Sequence, residues 1–110
     1  MRIVWPLMIR RINGHSMVPT LPPGTLVYGW RWFSRLKPEK VVIFLRQNRE
    51  IIKRIDQVQT DGLYVLGDHP ETSTDSRHYG AVSWDCVKAV VVWPRTPKVL
   101  AEDISLAKNN

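Results

Sequence analysis

Apolar residues along this chain come in short runs separated by polar, turn-forming stretches, and that spacing predicts strands rather than long helices. "TLPPGT" (20–25) is dense in turn chemistry, and "TLVYGWRWF" (25–33) follows it, rich in β-branched and aromatic residues. "VVIFLR" (41–46) reads as a buried strand, and "QNRE" (47–50) turns it into "IIKRIDQV" (51–58). Asp61-Gly62 signals a hairpin within "TDGLYVLGD" (60–68). Residues 68–80, "DHPETSTDSRHYG", have no apolar period and read as a long polar loop. "AVSWDCVKAVVVWP" (81–94) is a last strand region stopped by Pro94, and residues 98–110 fit either a short helix or a loose tail. The expected class is an all-β or mostly β fold.

A chain of 110 residues fits one small domain with one core. The division expected is an apolar and basic N-terminal segment (1–11), a β domain (12–94) and a C-terminal tail (95–110). The start, "MRIVWPLMIRRI", is too short to cross a bilayer, is broken by Pro6, and lacks the small-residue cleavage site of a signal peptide. No transmembrane segment is expected in this chain. A single cysteine, Cys86, allows no internal disulfide and sits in an apolar run, where it packs as a small hydrophobe. The net charge of +6 fits an anionic membrane surface, nucleic acid, or solubility alone.

The chemistry concentrates in three places. His15, His69, His78 and Cys86 share no ligand spacing, so neither a metal nor another cofactor is expected. Ser16, in "GHSMVPTL", needs a base to become a nucleophile. His15 is adjacent in sequence, and neighbours on an extended chain point apart. A lysine serves only when neutral, in an apolar setting that lowers its pKa. On a strand, Lys53 shares its face with Ile51 and Ile55, while Arg54 points the other way with Ile52. The same pattern also fits an edge-strand lysine reaching water. "TSTDSR" supplies hydroxyls at Thr72, Ser73, Thr74 and Ser76 that could aim such a lysine. An Asp75 left unpaired near Lys53 would hold it charged, and pairing with Arg77 would neutralise that effect.

Taken in order, "GHSMVPTL", "IIKRI" and "GDHPETSTDSRHYGAV" resemble the serine box, the lysine box and the terminal box of the type I signal peptidase family of Ser-Lys serine peptidases (S26-type). The likeness spans residues 12 to about 94. It implies a small catalytic β domain with Ser16 as nucleophile and Lys53 as general base. It places Ser73 as the serine that hydrogen-bonds the lysine, Asp75 and Arg77 as a structural ion pair, and Gly67-Asp68 at the opening of the loop. Met17 would lie beside the nucleophile near the substrate, and the Ser16 N–H would be one oxyanion donor.

Departures from the family pattern bear on the site. Gly14 stands where many members carry a second oxyanion hydroxyl, His69 replaces the usual Asn, and Pro38-Glu39-Lys40 stands before the second strand. The transmembrane segments and inserted second β domain of larger members have no counterpart here. The wording "GDHPETSTDSR" is similar to that of short, anchor-less members, including those that mature nickel superoxide dismutase. The implied activity is endoproteolysis of signal peptides or N-terminal extensions of precursor proteins, with small residues before the cut. Trp30, Arg31, Trp32 and Phe33 suit peripheral contact with an anionic membrane, and a cytoplasmic location is the alternative. A catalytically silent peptide-binding module of the same fold is the second reading. A nucleic-acid-binding β domain, favoured by charge and aromatics but supported by no recognised motif, is the third.

Overall fold

A computed structural model describes residues 5–97. Six strands form one antiparallel sheet: β1 (Leu7–Arg11), β2 (Leu26–Trp30), β3 (Val41–Arg46), β4 (Arg49–Gln59), β5 (Gly62–Leu66) and β6 (Val87–Trp93), in the spatial order β1-β2-β6-β3-β4-β5. The protein is a mostly β domain, as its apolar pattern requires. The possible helix or tail at 98–110 lies outside the described residues.

Each strand follows from its residues. The unbroken run in β3 is buried on both sides: Val41 and Ile43 enter one apolar cluster with Met8, Ile12, Met17 and Leu21, while Val42 and Phe44 enter another with Ile55, Leu63 and Val65. The single core expected from length is thus two clusters, one on each face of the sheet, because the central strand has no solvated face. Gln47 and Asn48, both at positive φ (51° and 63°), form the two-residue turn to β4. Mirror-image turns of that kind match the twist of the flanking strands. The next hairpin turns at Thr60-Asp61, and Gly62 begins β5 because a Cβ there would lie 2.2 Å from the Val82 carbonyl oxygen.

Two elements differ from expectation. The N-terminal segment is not separate from the domain: β1 pairs along its whole length with β2, from Leu7 against Trp30 to Arg11 against Leu26. Its five residues are too few to show a period beside Pro6. The polar loop is not structureless either. A 3₁₀ turn forms at Pro70–Thr72 and a single helical turn, α1, at Ser76–Tyr79. Asp75 caps α1 by accepting from the Arg77 N–H, while the His78 ring accepts from the Asp75 N–H in a reciprocal capping box.

Three features of this sheet position the site. First, β5 pairs with β4 only from Arg54 to Gln59, so, among the described residues, 49–53 have β3 on one side and an open edge on the other. Second, the Ile55 N–H donates to the Lys40 carbonyl on the β3 side (2.8 Å). Antiparallel alternation then turns the main-chain groups of Glu50 and Ile52 toward the open edge. Third, the sheet curls. Arg10 of β1 reaches Glu50 of β4 although β2, β6 and β3 lie between them in the sheet order (Nη2 donating to Oε2, 3.0 Å).

Candidate active site

Residues 13–21 leave β1, turn, and pass the open edge of β4. Gly14 takes φ 81°, a conformation that a side chain would strain, and an added Cβ would meet nothing within 4 Å. The glycine is therefore there for its backbone. The turn brings Ser16 opposite Lys53, whose Nζ donates to Ser16 Oγ at 2.7 Å. Lys53 is 5% exposed. Burial pushes its pKa down, the Asp75 carboxylate pushes it back up, and the Arg77 guanidinium pushes it down again. Burial is the largest of the three effects, and its direction favours the neutral amine.

Asp75 is fully buried and the most heavily bonded group nearby. Its Oδ2 accepts from Ser73 Oγ (2.7 Å), the Gly67 N–H (2.9 Å) and Arg77 Nη2 (2.6 Å), and Arg77 Nε donates to Oδ1 (2.9 Å). Burial alone would raise its pKa. The hydrogen bonds from Arg77, Gly67 and Ser73 outweigh burial and hold it well below the usual carboxylate range. The Ser73 hydroxyl therefore goes to Asp75, not to Lys53. Among the described residues the direct Ser73–Lys53 hydrogen bond implied by the resemblance is absent: Ser73 donates to Asp75, two residues away, and that carboxylate acts on Lys53 through its charge.

The same segment clasps the Ser16 loop from behind. The His69 N–H donates to the Ser16 carbonyl (2.8 Å), and Thr20 Oγ1 donates to Asp68 Oδ2 (2.6 Å). Asp68 in turn accepts two bonds from Arg54, Nε to Oδ1 at 2.8 Å and Nη2 to Oδ2 at 2.7 Å. The two side chains are 4% and 5% exposed. This buried pair was not identified in the sequence. The signal available was a charged residue between Ile52 and Ile55, and nothing in the wording matched it to a carboxylate fourteen positions on. Gly67 lies at the centre of the clasp: a Cβ there would sit 2.1 Å from Ser73 Oγ and 2.7 Å from the Ser16 carbonyl oxygen.

In front of Ser16 and Lys53 runs a cleft of about 530 Å³ between residues 10–17 and the open edge of β4, with Ile43, Ile52 and Met17 among its apolar lining. Thr72 and Thr74 border it from the polar loop. Among the described residues, the Ser16 N–H has no hydrogen-bond acceptor, so it is available to a group bound in the cleft. His15 is exposed, and among the described residues the one side chain hydrogen-bonded to Ser16 Oγ is Lys53. Chemically, the arrangement offers a hydroxyl beside a buried amine, an unused N–H next to it, and a strand edge able to hold an extended chain.

No protein-family model matches this chain, and no curated protein matches it. No helix among the described residues is long and apolar enough to cross a membrane.

Proposed function

We propose that this protein is a serine endopeptidase of the signal peptidase type, with Ser16 as nucleophile and Lys53 as general base, acting on signal peptides or N-terminal extensions of precursor proteins. The observation that carries this reading is the 2.7 Å contact between Ser16 Oγ and the Nζ of a buried lysine. A chance surface pair would leave the lysine hydrated and charged. Here the larger effect on the amine is loss of water, which is what a base needs.

The reaction follows from the geometry. A peptide lies extended along the open edge of β4, bonded to the main chain of Glu50 and Ile52 as an added strand. Neutral Lys53 takes the Ser16 hydroxyl proton while Oγ forms a bond to the scissile carbonyl carbon. The carbonyl oxygen becomes an oxyanion and accepts from the Ser16 N–H. Protonated Lys53 then gives the proton to the leaving amine as the C–N bond breaks. A water, deprotonated by the same lysine, hydrolyses the acyl-enzyme. Asp75, held by Arg77, Ser73 and Gly67, sets the charge facing Lys53 without taking its proton.

Peripheral attachment to an anionic membrane belongs to the same proposal. Trp30 and Trp32 are 39% and 61% exposed and meet edge to face with centroids 6.1 Å apart. Aromatic side chains with basic neighbours suit the headgroup level of a bilayer. The open β4 edge also supports the second reading, a peptide-binding module without catalysis.

The test is cleavage of candidate precursor peptides mapped by mass spectrometry. Ser16→Ala is expected to retain the fold and lose about 10⁶ in rate. Lys53→Arg is expected to be inactive, since a guanidinium keeps its proton at any workable pH. His15→Ala is expected to cost little. Full activity in Ser16→Ala or Lys53→Arg overturns the assignment. Peptide binding without cleavage by the wild type selects the binding module.

A further inference from the structure

The end of the cleft away from Ser16 carries charge that the proposed reaction does not use. Arg10, Arg11 and Arg49 line it, with Glu50 as the one carboxylate of the lining among the described residues. Glu50 is already committed: Arg10 grips it through Nε and Nη2, and Lys88 and Arg31 add to the field that lowers its pKa. Arg49 has no ion pair or side-chain hydrogen bond among the described residues. Arg11 donates through Nη1 to the Gly24 carbonyl (3.0 Å) and has no carboxylate partner there. One wall of a peptide-sized cleft therefore holds guanidinium groups in excess of the acid available to them.

The strand edge fixes where a bound peptide would meet this charge. Arg49 stands four positions along β4 from Lys53, about 13 Å at the rise of a strand. A chain paired with that edge passes Arg49 about four residues from the carbonyl facing Ser16. Alternate side chains of such a strand point to the same wall, so a carboxylate placed there reaches the rim without bending the backbone. We infer that the cleft selects peptides bearing an acidic side chain about four residues from the scissile bond, on the side lying along residues 49–52, with Arg49 as principal partner and Arg10 and Arg11 supporting it. The inference rests on the proposed peptidase reading only for the name of the scissile bond. The cleft and its charge stand without it.

Exposed ion pairs are weak, so each is expected to change affinity by about fivefold at low ionic strength. The effect should vanish in 1 M salt, where screening acts over about 3 Å. The test uses fluorescein-labelled peptides that differ only in Glu, Gln or Lys at each position up to five residues either side of an Ala-rich cut site. Binding to the full-length Ser16→Ala protein is read by anisotropy, and cleavage by the wild type is read in parallel. The expected result is tighter binding and higher kcat/KM for Glu near the fourth position on one side only. Arg49→Glu should invert that order to favour Lys. Glu50→Gln, which frees Arg10, should strengthen the preference for Glu. The two variants move oppositely, which a loss of fold cannot imitate. Cleavage with no charge preference overturns the inference and leaves the peptidase reading standing. A charge preference in binding with no cleavage does the reverse. Neither binding nor cleavage of any peptide sinks both, and displacement of bound Glu peptide by a single-stranded oligonucleotide assigns the basic rim to nucleic acid instead.

Discussion

Lys53 faces two charges of opposite sign, and on the proposed reading their removal should move the pH dependence of cleavage in opposite directions. Asp75 raises its pKa and Arg77 lowers it. Asp75→Asn should therefore shift the rising limb of kcat/KM against pH to lower pH, and Arg77→Gln should shift it to higher pH. Both limbs should lie below the unperturbed lysine value of about 10.4. A limb that stays in place in both variants would mean that Lys53 is not the titrating group. For both Lys53 and Asp75 stability falls as pH falls, but in different windows: for Lys53 the charged form is a cost, for Asp75 it is a gain. The depressed pKa of Lys53 means that the unfolded chain binds its proton first, so stability falls as pH drops from about 10.4 toward the folded-state value and is not regained below it. Lys53→Met should accordingly raise the melting temperature at neutral pH while abolishing cleavage. The depressed pKa of Asp75 contributes stability above its unfolded value of about 3.9, lost as pH falls below it. Asp75→Asn should thus cost about 2 kcal/mol at pH 7, the worth of charged hydrogen bonds, and much less at pH 2. Equal losses at both pH values would show that the carboxylate's charge does not matter. At this scale the sequence was most informative. Ser16, Lys53 and the Asp75–Arg77 pair could be named from wording and from the face that Lys53 shares with Ile51 and Ile55. The partner of Ser73 could not, because a hydroxyl donates to whichever acceptor the loop brings nearest, and only the folded loop decides that.

Between elements, what holds Ser16 is not the strand it follows but the segment after β5. His69 and Asp68 tie down Ser16 and Thr20, and Arg54 anchors Asp68 to β4. Arg54→Met leaves Asp68 buried and charged without its partner, so the expected loss is about 3–5 kcal/mol, read from chemical denaturation. Arg54→Met with Asp68→Leu should recover part of it. No recovery in the pair would place the cost in packing rather than in the uncompensated charge. Gly67→Ala tests the clasp itself. Its Cβ would overlap Ser73 Oγ and crowd the Ser16 carbonyl, so cleavage should fall sharply with a smaller change in unfolding midpoint. Strand identity was legible in β3, whose boundaries follow "VVIFLR" residue for residue, because burial on both faces leaves an uninterrupted apolar run. β1 was not legible, since a five-residue edge strand beside a proline has too little pattern to register. The helical turn α1 was hidden for another reason. Its stability comes from the reciprocal cap between Asp75 and His78, and not from any apolar period.

Across the whole molecule, the curl of the sheet leaves its two faces unequally covered. One face is closed over the cluster around Met8, Val27 and Ile43. On the other, the turns after β5 cover β3, β4 and β5, and Val82 and Tyr79 pack there with Leu63 and Phe44. Toward β1, β2 and β6 the surface is aromatic and bare. Ile9 pairs with Tyr28, Tyr28 with Trp93, and Leu7 with Trp30, so these positions share a face, and Ile9, Trp30 and Trp93 are 48%, 39% and 59% exposed. Trp5 and Trp32 at its border are more exposed still. The sequence pointed to Trp30 and Trp32 but not to their union with Ile9 and Trp93, which needs the register of three strands. Contiguous aromatic surface of this kind on a basic chain is suited to the interfacial zone of an anionic bilayer, where rings sit among headgroups and arginines meet phosphates. The protein should therefore sediment with vesicles of mixed neutral and anionic lipid at low salt, and release as salt rises. Tryptophan emission should shift to the blue on binding, because exposed rings leave water. Trp30→Ser with Trp32→Ser should weaken binding by at least tenfold while leaving Ser16-dependent peptide cleavage in solution unchanged, since neither ring lines the cleft. Binding that depends on salt but not on the two tryptophans would reduce the attachment to charge alone. Absence of binding at every salt concentration would remove the membrane from the proposal and leave a peptidase acting on precursors in solution.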